Sequence, residues 1–217
     1  MLALQDGAFF ANRNAVYDAG DCRAQMAARV LLRTLAGRFV APERRNGPFC
    51  MQLTDLHASN IFVDDDWNVT CLIDLEWVSA LPAEMLAVPY WLTGRGIDQL
   101  EDEHLVEFEK VHQEFLEVLE EEESASSPGG GASLTGVIRE SWETGRVWLW
   151  HCLTCVDAII TVVEDHVAPR YCRMSIRAEE VLSQYWCEGS DEVVRRKVEQ
   201  HEEYVKDLGV LFKTETP

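Results

Sequence analysis

The sequence predicts an α+β protein that is mostly helical and contains a small β-hairpin. Apolar and small residues recur at helical spacing between residues 21 and 40, which predicts a long amphipathic helix. Two β-favouring runs, 61–63 and 69–73, are separated by a stretch of Asp and Asn residues that suits a turn. Apolar residues return to helical spacing beyond residue 100, so helices are expected on both sides of the hairpin.

Length and composition are those of a folded domain. The chain has 217 residues, of which 47% are hydrophobic and 26% are charged. This is enough to bury a substantial core, and it excludes wholesale disorder, collagen-like repeats and a disulfide-stapled miniprotein. We expect residues 1–217 to form a single domain.

The charge balance restricts the partners. The chain contains 19 Lys and Arg against 38 Asp and Glu, a formal net charge of −19. Such a field repels phosphate backbones and anionic lipid, which argues against nucleic acid or a membrane surface as the main partner. It would attract a cationic small molecule, although acidity more often serves solubility.

Three features predict a cytoplasmic protein. The N-terminal residues lack a basic region followed by an apolar run, so no secretory signal is expected. Seven cysteines at irregular spacing indicate reduced thiols rather than a disulfide framework. The most apolar stretch, 147–163, is shorter than the roughly 20 residues of a membrane span and contains His151 and Asp157, so a buried helix is expected.

The remaining elements follow from changes of period along the chain. Alternating apolar residues at 49–53 predict a strand after a Pro- and Gly-containing loop. A helix with eleven acidic residues is predicted over 101–123, followed by a flexible insertion loop over 124–133. The C-terminal helical part, 134–213, contains three predicted helices, at 134–164, 176–186 and 191–212.

One constellation of polar residues suggests chemistry. Asp55 is followed five residues later by Asn60, and Asp74 stands at the far end of the hairpin, which should bring Asn60 and Asp74 together. This spacing is typical of the kinase catalytic loop and its metal-binding Asp. Phosphoryl transfer requires a carboxylate near the acceptor hydroxyl and oxygen ligands for magnesium. An Asp and Asn at this spacing are more often turn residues, but the second Asp favours a site over 49–77.

The residues around this constellation resemble a known family. Segments 53–63 and 71–77 are similar to the aminoglycoside phosphotransferase and choline-kinase-like group of the protein-kinase-like superfamily, and most of all to its fungal-type subgroup. The resemblance covers about residues 45–100, with weaker similarity in helix order elsewhere. Further residues that carry it are Trp67, Asn68, Pro82, Glu84, Met85 and the run from Pro89 to Arg95.

The resemblance implies an ATP- and Mg²⁺-dependent phosphotransferase acting on a small-molecule hydroxyl, with cationic acceptors among the candidates. Asp55 takes the place of the catalytic aspartate. Asn60 and Asp74 take the places of the metal ligands that hold the nucleotide through Mg²⁺, and His57 and Ser59 those of the residues that position the loop. Glu76 is either near the metal or a solvated carboxylate. The family usually has His-Gly before its catalytic Asp, where this chain has Leu53-Thr54.

The resemblance also predicts a kinase-like C-terminal lobe without its N-terminal nucleotide lobe. In the family that lobe places roughly 100 residues or more before the catalytic loop. Here 54 residues precede Asp55, without a Gly-x-Gly-x-x-Gly motif or any lysine. The alternatives to a phosphotransferase are therefore a non-catalytic, pseudokinase-like binding module and a truncated gene product. In either case a protein partner or the missing lobe would cover the face that carries the site.

Overall fold

The computed structural model describes residues 2–126, 133–171 and 173–213. Within these ranges the chain forms eight α-helices and four β-strands. The helices are α1 (Leu2–Ala11), α2 (Ala19–Phe39), α3 (Asp102–Ser126), α4 (Leu134–Thr144), α5 (Arg146–Thr154), α6 (Ile159–Val162), α7 (Ile176–Ser183) and α8 (Ser190–Lys213). The strands are β1 (Phe49–Leu53), β2 (Ile61–Val63), β3 (Val69–Leu72) and β4 (Val78–Pro82). The predicted α+β class with a predominance of helix is confirmed.

The chain divides into two compact units. The first comprises residues 1–37 and 152–217, and the second comprises residues 38–151. The second unit contains all four strands and every residue predicted to belong to a site. In the described ranges, no helix combines the length and apolarity needed to cross a lipid bilayer.

The first unit is built around α2. Asp18 caps this helix, because its Oδ1 accepts a hydrogen bond of 2.9 Å from the Asp21 amide. Asp21 in turn accepts from the Tyr17 amide through Oδ2, so the first turn is closed from both sides. One face of α2 enters an apolar cluster formed with α1 and α8. Its members are Phe9, Val16, Cys22, Met26, Trp186, Val193 and Val194.

Two buried cations stabilise the end of α1. Lys197 of α8 is fully buried, and its ammonium group donates to the backbone carbonyls of Phe10 and Asn12. These carbonyls end α1, where no amide of the same helix is left to pair with them. The centroid of the Phe9 ring lies 5.4 Å from the Lys197 Nζ and 4.6 Å from the Arg29 guanidinium carbon. Burial lowers the pKa of Lys197.

Replacing Lys197 by methionine is expected to lower the free energy of unfolding by about 2 kcal/mol. Methionine retains the length and apolar stem, but both carbonyls lose the ammonium donor, and within the described residues only that of Asn12 keeps another, the Ala15 amide. The measurement is urea unfolding, with Lys206→Met, an exposed site on the same helix, as the matched control. Equal midpoints for the two variants would show that the buried ammonium group contributes nothing net.

An aromatic layer forms the core of the second unit. Phe108, His112 and Leu116 lie on the buried face of α3. The Trp142 ring of α4 lies 5.6 Å from Phe108 and 4.5 Å from the His112 ring, and Trp148 follows at 5.5 Å. Helix α4 also packs against the turn that directly follows β4. The helical layer therefore supports one end of a sheet.

The four strands form two antiparallel pairs. Strand β1 pairs with β4 in a register that places Phe49 opposite Pro82 and Leu53 opposite Val78. Strand β2 pairs with β3, with a bulge between Phe62 and Val63, so the predicted hairpin is confirmed. The sequence did not predict β4.

Asp64 closes the turn between β2 and β3. Its carboxylate accepts hydrogen bonds from the backbone amides of Asp66 and Asn68 and from the Asn68 side chain. These bonds lower the pKa of Asp64, because they stabilise its ionised form. This aspartate therefore acts as a turn residue, as its position in the sequence predicts.

The predicted single helix over 134–164 is wrong. Gly145 ends α4 in a left-handed conformation (φ 71°), and its amide donates to the Trp142 carbonyl. Helix α5 then ends at Thr154, and a short α-helix and a π-helical turn complete the segment. The same breaks divide the predicted buried helix over 147–163.

Most of the predicted loop over 124–133 lies outside the described residues, and residues 124–126 belong to α3.

Candidate active site

The loop that carries Asp55 is held between the two sheets by backbone hydrogen bonds. The Trp77 carbonyl accepts from the Thr54 amide at 3.1 Å and from Thr54 Oγ1 at 2.7 Å. At the other end of the loop, the Ile73 amide donates to the Asn60 carbonyl at 3.0 Å. Asn60 therefore pairs with the residue before Asp74, and Asp55 follows directly on the end of the β1–β4 pair.

The side chain of Thr54 reinforces the contact between the loop and the strand connection. Both donors of Thr54 engage one carbonyl of this connection, so a hydroxyl side chain supports the loop from that side. The sequence alone did not show this support, because its acceptor belongs to the segment that enters β4.

Asn60 is the buried member of the constellation. Its side chain is 5% exposed, its Nδ2 donates to the Asp55 carbonyl at 3.0 Å, and its amide donates to the His57 carbonyl at 2.9 Å. The side-chain amide is therefore fixed in orientation. Because Nδ2 is engaged and amide nitrogen does not bind cations, Oδ1 is the atom suited to a metal.

Asp55 and Asp74 line the same surface depression. The depression is shallow, and its remaining walls are Leu53, Leu56, Leu75 and Trp77. Both carboxylates are in exposed residues. Asp74 has a left-handed backbone (φ 58°), a conformation that is uncommon for residues other than Gly but that Asp and Asn adopt more readily than most. Strained backbone of this kind is concentrated at functional sites.

His57 and Ser59 form a contact within the loop. The Ser59 Oγ and the His57 Nδ1 are 2.7 Å apart, and both residues are exposed. Neither side chain lines the depression, which is compatible with a role in holding the loop.

Two residues near the end of the strand connection differ in their relation to the depression. Glu76 is exposed and lies outside the set of lining residues. Trp77 is a wall of the depression that sequence reasoning did not assign, because its position depends on the β1–β4 pairing.

The oxygen atoms of the site fit a magnesium ion in chemical type. Asp55, Asp74 and the Asn60 Oδ1 are hard oxygen donors, and proteins usually bind Mg²⁺ through one or two carboxylates together with water and substrate phosphates. Over the part of the chain that the structure describes, no group of three or more His, Cys, Asp or Glu side chains could hold a metal. An ion held by these residues would therefore need further ligands, such as water or phosphate oxygens.

A whole nucleotide is too large for the depression. Pockets that bind small molecules are concave and enclose most of the ligand, whereas this depression is too shallow to enclose even a water molecule. Moreover, residues 46–94 contain no lysine or arginine that could pair with phosphates. The residues that line the depression therefore do not by themselves enclose a nucleoside triphosphate.

Comparison with known proteins identifies no relative. No protein-family model matches the sequence, and neither a curated protein nor a solved structure matches the chain. Function is therefore inferred from the residues of the site.

Proposed function

We propose that this chain is a phosphotransferase with a kinase-like C-terminal lobe, which transfers the γ-phosphoryl group of ATP to a hydroxyl of a small molecule. The observation that carries the proposal is that Asp55 and Asp74 line one depression while Asn60 is bonded to the Asp55 backbone. These residue types at this spacing resemble the catalytic loop and metal-binding Asp of the aminoglycoside phosphotransferase and choline-kinase-like family. The mostly helical fold with two small antiparallel sheets is compatible with such a lobe.

Each residue has a distinct task in this reaction. The Asp55 carboxylate orients the acceptor hydroxyl and accepts its proton as the oxygen bonds to the γ-phosphorus. The bond from that phosphorus to the β–γ bridging oxygen breaks, and ADP leaves. Asp74 and the Asn60 Oδ1 would hold Mg²⁺, which when bound neutralises charge on the phosphates. The His57–Ser59 contact keeps the loop in place.

Charge around the site favours a cationic acceptor. Residues 46–94 contain seven acidic residues and no lysine or arginine. Six of the seven are exposed, and Asp55 and Asp74 are among them. Such a surface raises the local concentration of a positively charged molecule. Among hydroxyl acceptors, the site is therefore expected to prefer those that also bear an amine.

A non-catalytic binding module is the second candidate. It is favoured by the shallowness of the depression and by the absence of lysine and arginine from residues 46–94. The two candidates differ in a measurable property, because only the phosphotransferase requires a divalent metal and a nucleotide to bind together.

Asp74→Asn is expected to weaken the binding of the Mn²⁺ complex of ATP at least about tenfold, since it removes an anionic metal ligand. Asn adopts the left-handed conformation about as readily as Asp, so the backbone should be preserved. Binding is measured by the electron paramagnetic resonance of Mn²⁺, used as a probe for the magnesium site. The matched control is Asp65→Asn, which changes the same charge at an exposed position in the β2–β3 turn.

Tight binding by the wild type and the control, with loss in Asp74→Asn alone, would support the metal site. No binding by the wild type would refute the phosphotransferase proposal and favour the binding module. Equal loss in both variants would show that net charge matters and that Asp74 is not a ligand.

A further inference from the structure

One face of the β1–β4 sheet is apolar and exposed. Antiparallel pairing places Met51 beside Ala80 and Leu53 beside Val78, and side chains that are paired in this way point to the same side of a sheet. Phe49 continues the row; it is 58% exposed and Met51 is 69% exposed. The residues between them, Cys50 and Gln52, are half-buried on the other side. We call the outward row the docking face; it consists of Phe49, Met51, Leu53, Val78 and Ala80.

The docking face differs from scattered surface apolar residues. Single exposed hydrophobic side chains are normal, but a contiguous row on a soluble protein marks a surface that binds something. In the described part of the chain this sheet has two strands, so β1 and β4 each have an edge that pairs with no further strand. Natural sheet edges are usually blocked by charges, and β1 contains none. An extended peptide segment could pair with such an open edge as an additional strand, and its apolar side chains would then pack on the apolar row.

The charges near the docking face indicate which kind of partner it can bind. Three exposed acids, Asp55, Asp74 and Glu76, lie in the segments directly after β1 and before β4. No lysine or arginine occurs anywhere in residues 46–94. A second copy of this chain would bring the same negative charges to the contact, which opposes association. A partner with positive charges beside an apolar strand is complementary.

We propose that the docking face binds a second protein through an extended apolar segment flanked by Lys or Arg. The segment adds a strand to the open edge of the sheet and covers the apolar row, and its basic residues pair with Glu76, the exposed neighbouring acid that does not line the depression. This interaction goes beyond the proposed phosphotransferase activity, because it does not depend on metal or nucleotide. Leu53 belongs to both the docking face and the depression, so the bound partner also adds a wall near Asp55.

Three synthetic peptides test the proposal with the full chain. They share a central apolar strand of about six residues and differ only in their flanks, which are Lys, Gln or Glu. Fluorescence anisotropy of the labelled peptides is expected to show binding at least about tenfold tighter for Lys flanks than for Gln flanks. No binding is expected for Glu flanks, and added salt should weaken the Lys-flanked complex.

Matched variants localise the binding. Met51→Lys places a charge on the docking face and is expected to weaken binding of the Lys-flanked peptide at least about tenfold. Val106→Lys makes the same change in charge at an exposed valine of α3 and should leave binding unchanged. Both sites are exposed, so both variants should fold.

Three results would overturn the proposal. They are failure of every peptide to bind, binding that is indifferent to flank charge, and equal effects of the two variants. In sedimentation experiments, a wild-type dimer that Met51→Lys dissociates would assign the face to a second copy and also refute it. None of these results alters the Mn²⁺ measurement on Asp74, so failure of the interaction and failure of the phosphotransferase proposal are distinguishable.

Discussion

Asp55→Ala is expected to lower the rate of ADP formation from ATP, Mg²⁺ and an amine-bearing hydroxyl acceptor by roughly 10²- to 10⁴-fold. That is the usual contribution of a positioned general base. The Asp55 side chain lines the depression, whereas its backbone carbonyl, which alanine retains, accepts the hydrogen bond from Asn60. The variant should therefore lose turnover without losing its fold, as judged by its urea midpoint.

Asp65→Ala serves as the control for Asp55, because it removes an exposed carboxylate from the β2–β3 turn. It should retain the wild-type rate. Since Asn60 and Asp74 remain in Asp55→Ala, binding of the Mn²⁺–ATP complex should also survive that change. Turnover that persists in Asp55→Ala would remove this residue from the chemistry.

The second large effect is expected in the stability of the chain below neutral pH. His112 is 5% exposed, and its ring contacts those of Phe108 and Trp142. Burial, and to a lesser degree the positive charge of Arg139, lower the pKa of His112 from 6.5 to about 4. The folded state therefore holds this imidazole neutral over a range in which the unfolded chain protonates it.

The sign of the effect follows from proton counting. Between pH 6.5 and about 4 the unfolded state binds more protons at His112 than the folded state, so stability falls as the pH falls. A shift of this size corresponds to about 3 kcal/mol of unfolding free energy lost between neutral pH and pH 4. His112→Phe preserves a ring at the site and should remove this part of the pH dependence.

Urea unfolding of the wild type and His112→Phe at a series of pH values measures the difference. Taking the difference cancels the titration of the many carboxylates common to both proteins. Phe108→Leu is the control: it loosens the same aromatic layer and should lower stability at every pH without changing the slope. Parallel curves for the wild type and His112→Phe would show that His112 is not held neutral.

The parts of the fold that were predicted are those determined by local pattern. The β2–β3 hairpin follows from two β-favouring runs and an Asp- and Asn-rich turn, and α3 follows from one apolar stripe. Strand β4 was missed because five residues ending in proline form a strand here only through pairing with β1. Helix α1 was missed because it lacks an apolar stripe, and it is stabilised by tertiary contacts such as that of Lys197.

The segment around Gly145 shows the opposite error, because the sequence predicted a continuous helix where the structure has a break. The apolar pattern continues across this residue, so periodicity predicted one helix where a left-handed glycine separates two. At the site, spacing alone identified Asp55, Asn60 and Asp74. The bonds of Thr54 to Trp77 could not be predicted, because they depend on the unpredicted strand, and neither could the left-handed backbone of Asp74. The roles of these residues in metal binding and catalysis remain predictions.

Transfer of labelled phosphate tests the central claim most directly. The full chain is incubated with Mg²⁺, ATP that carries radioactive phosphorus in its γ-position, and a panel of hydroxyl compounds with and without amines. We expect label in at least one amine-bearing acceptor with the wild type and Asp65→Ala, and none with Asp55→Ala. Label in no acceptor, or equal label with and without the Asp55 carboxylate, would contradict this expectation.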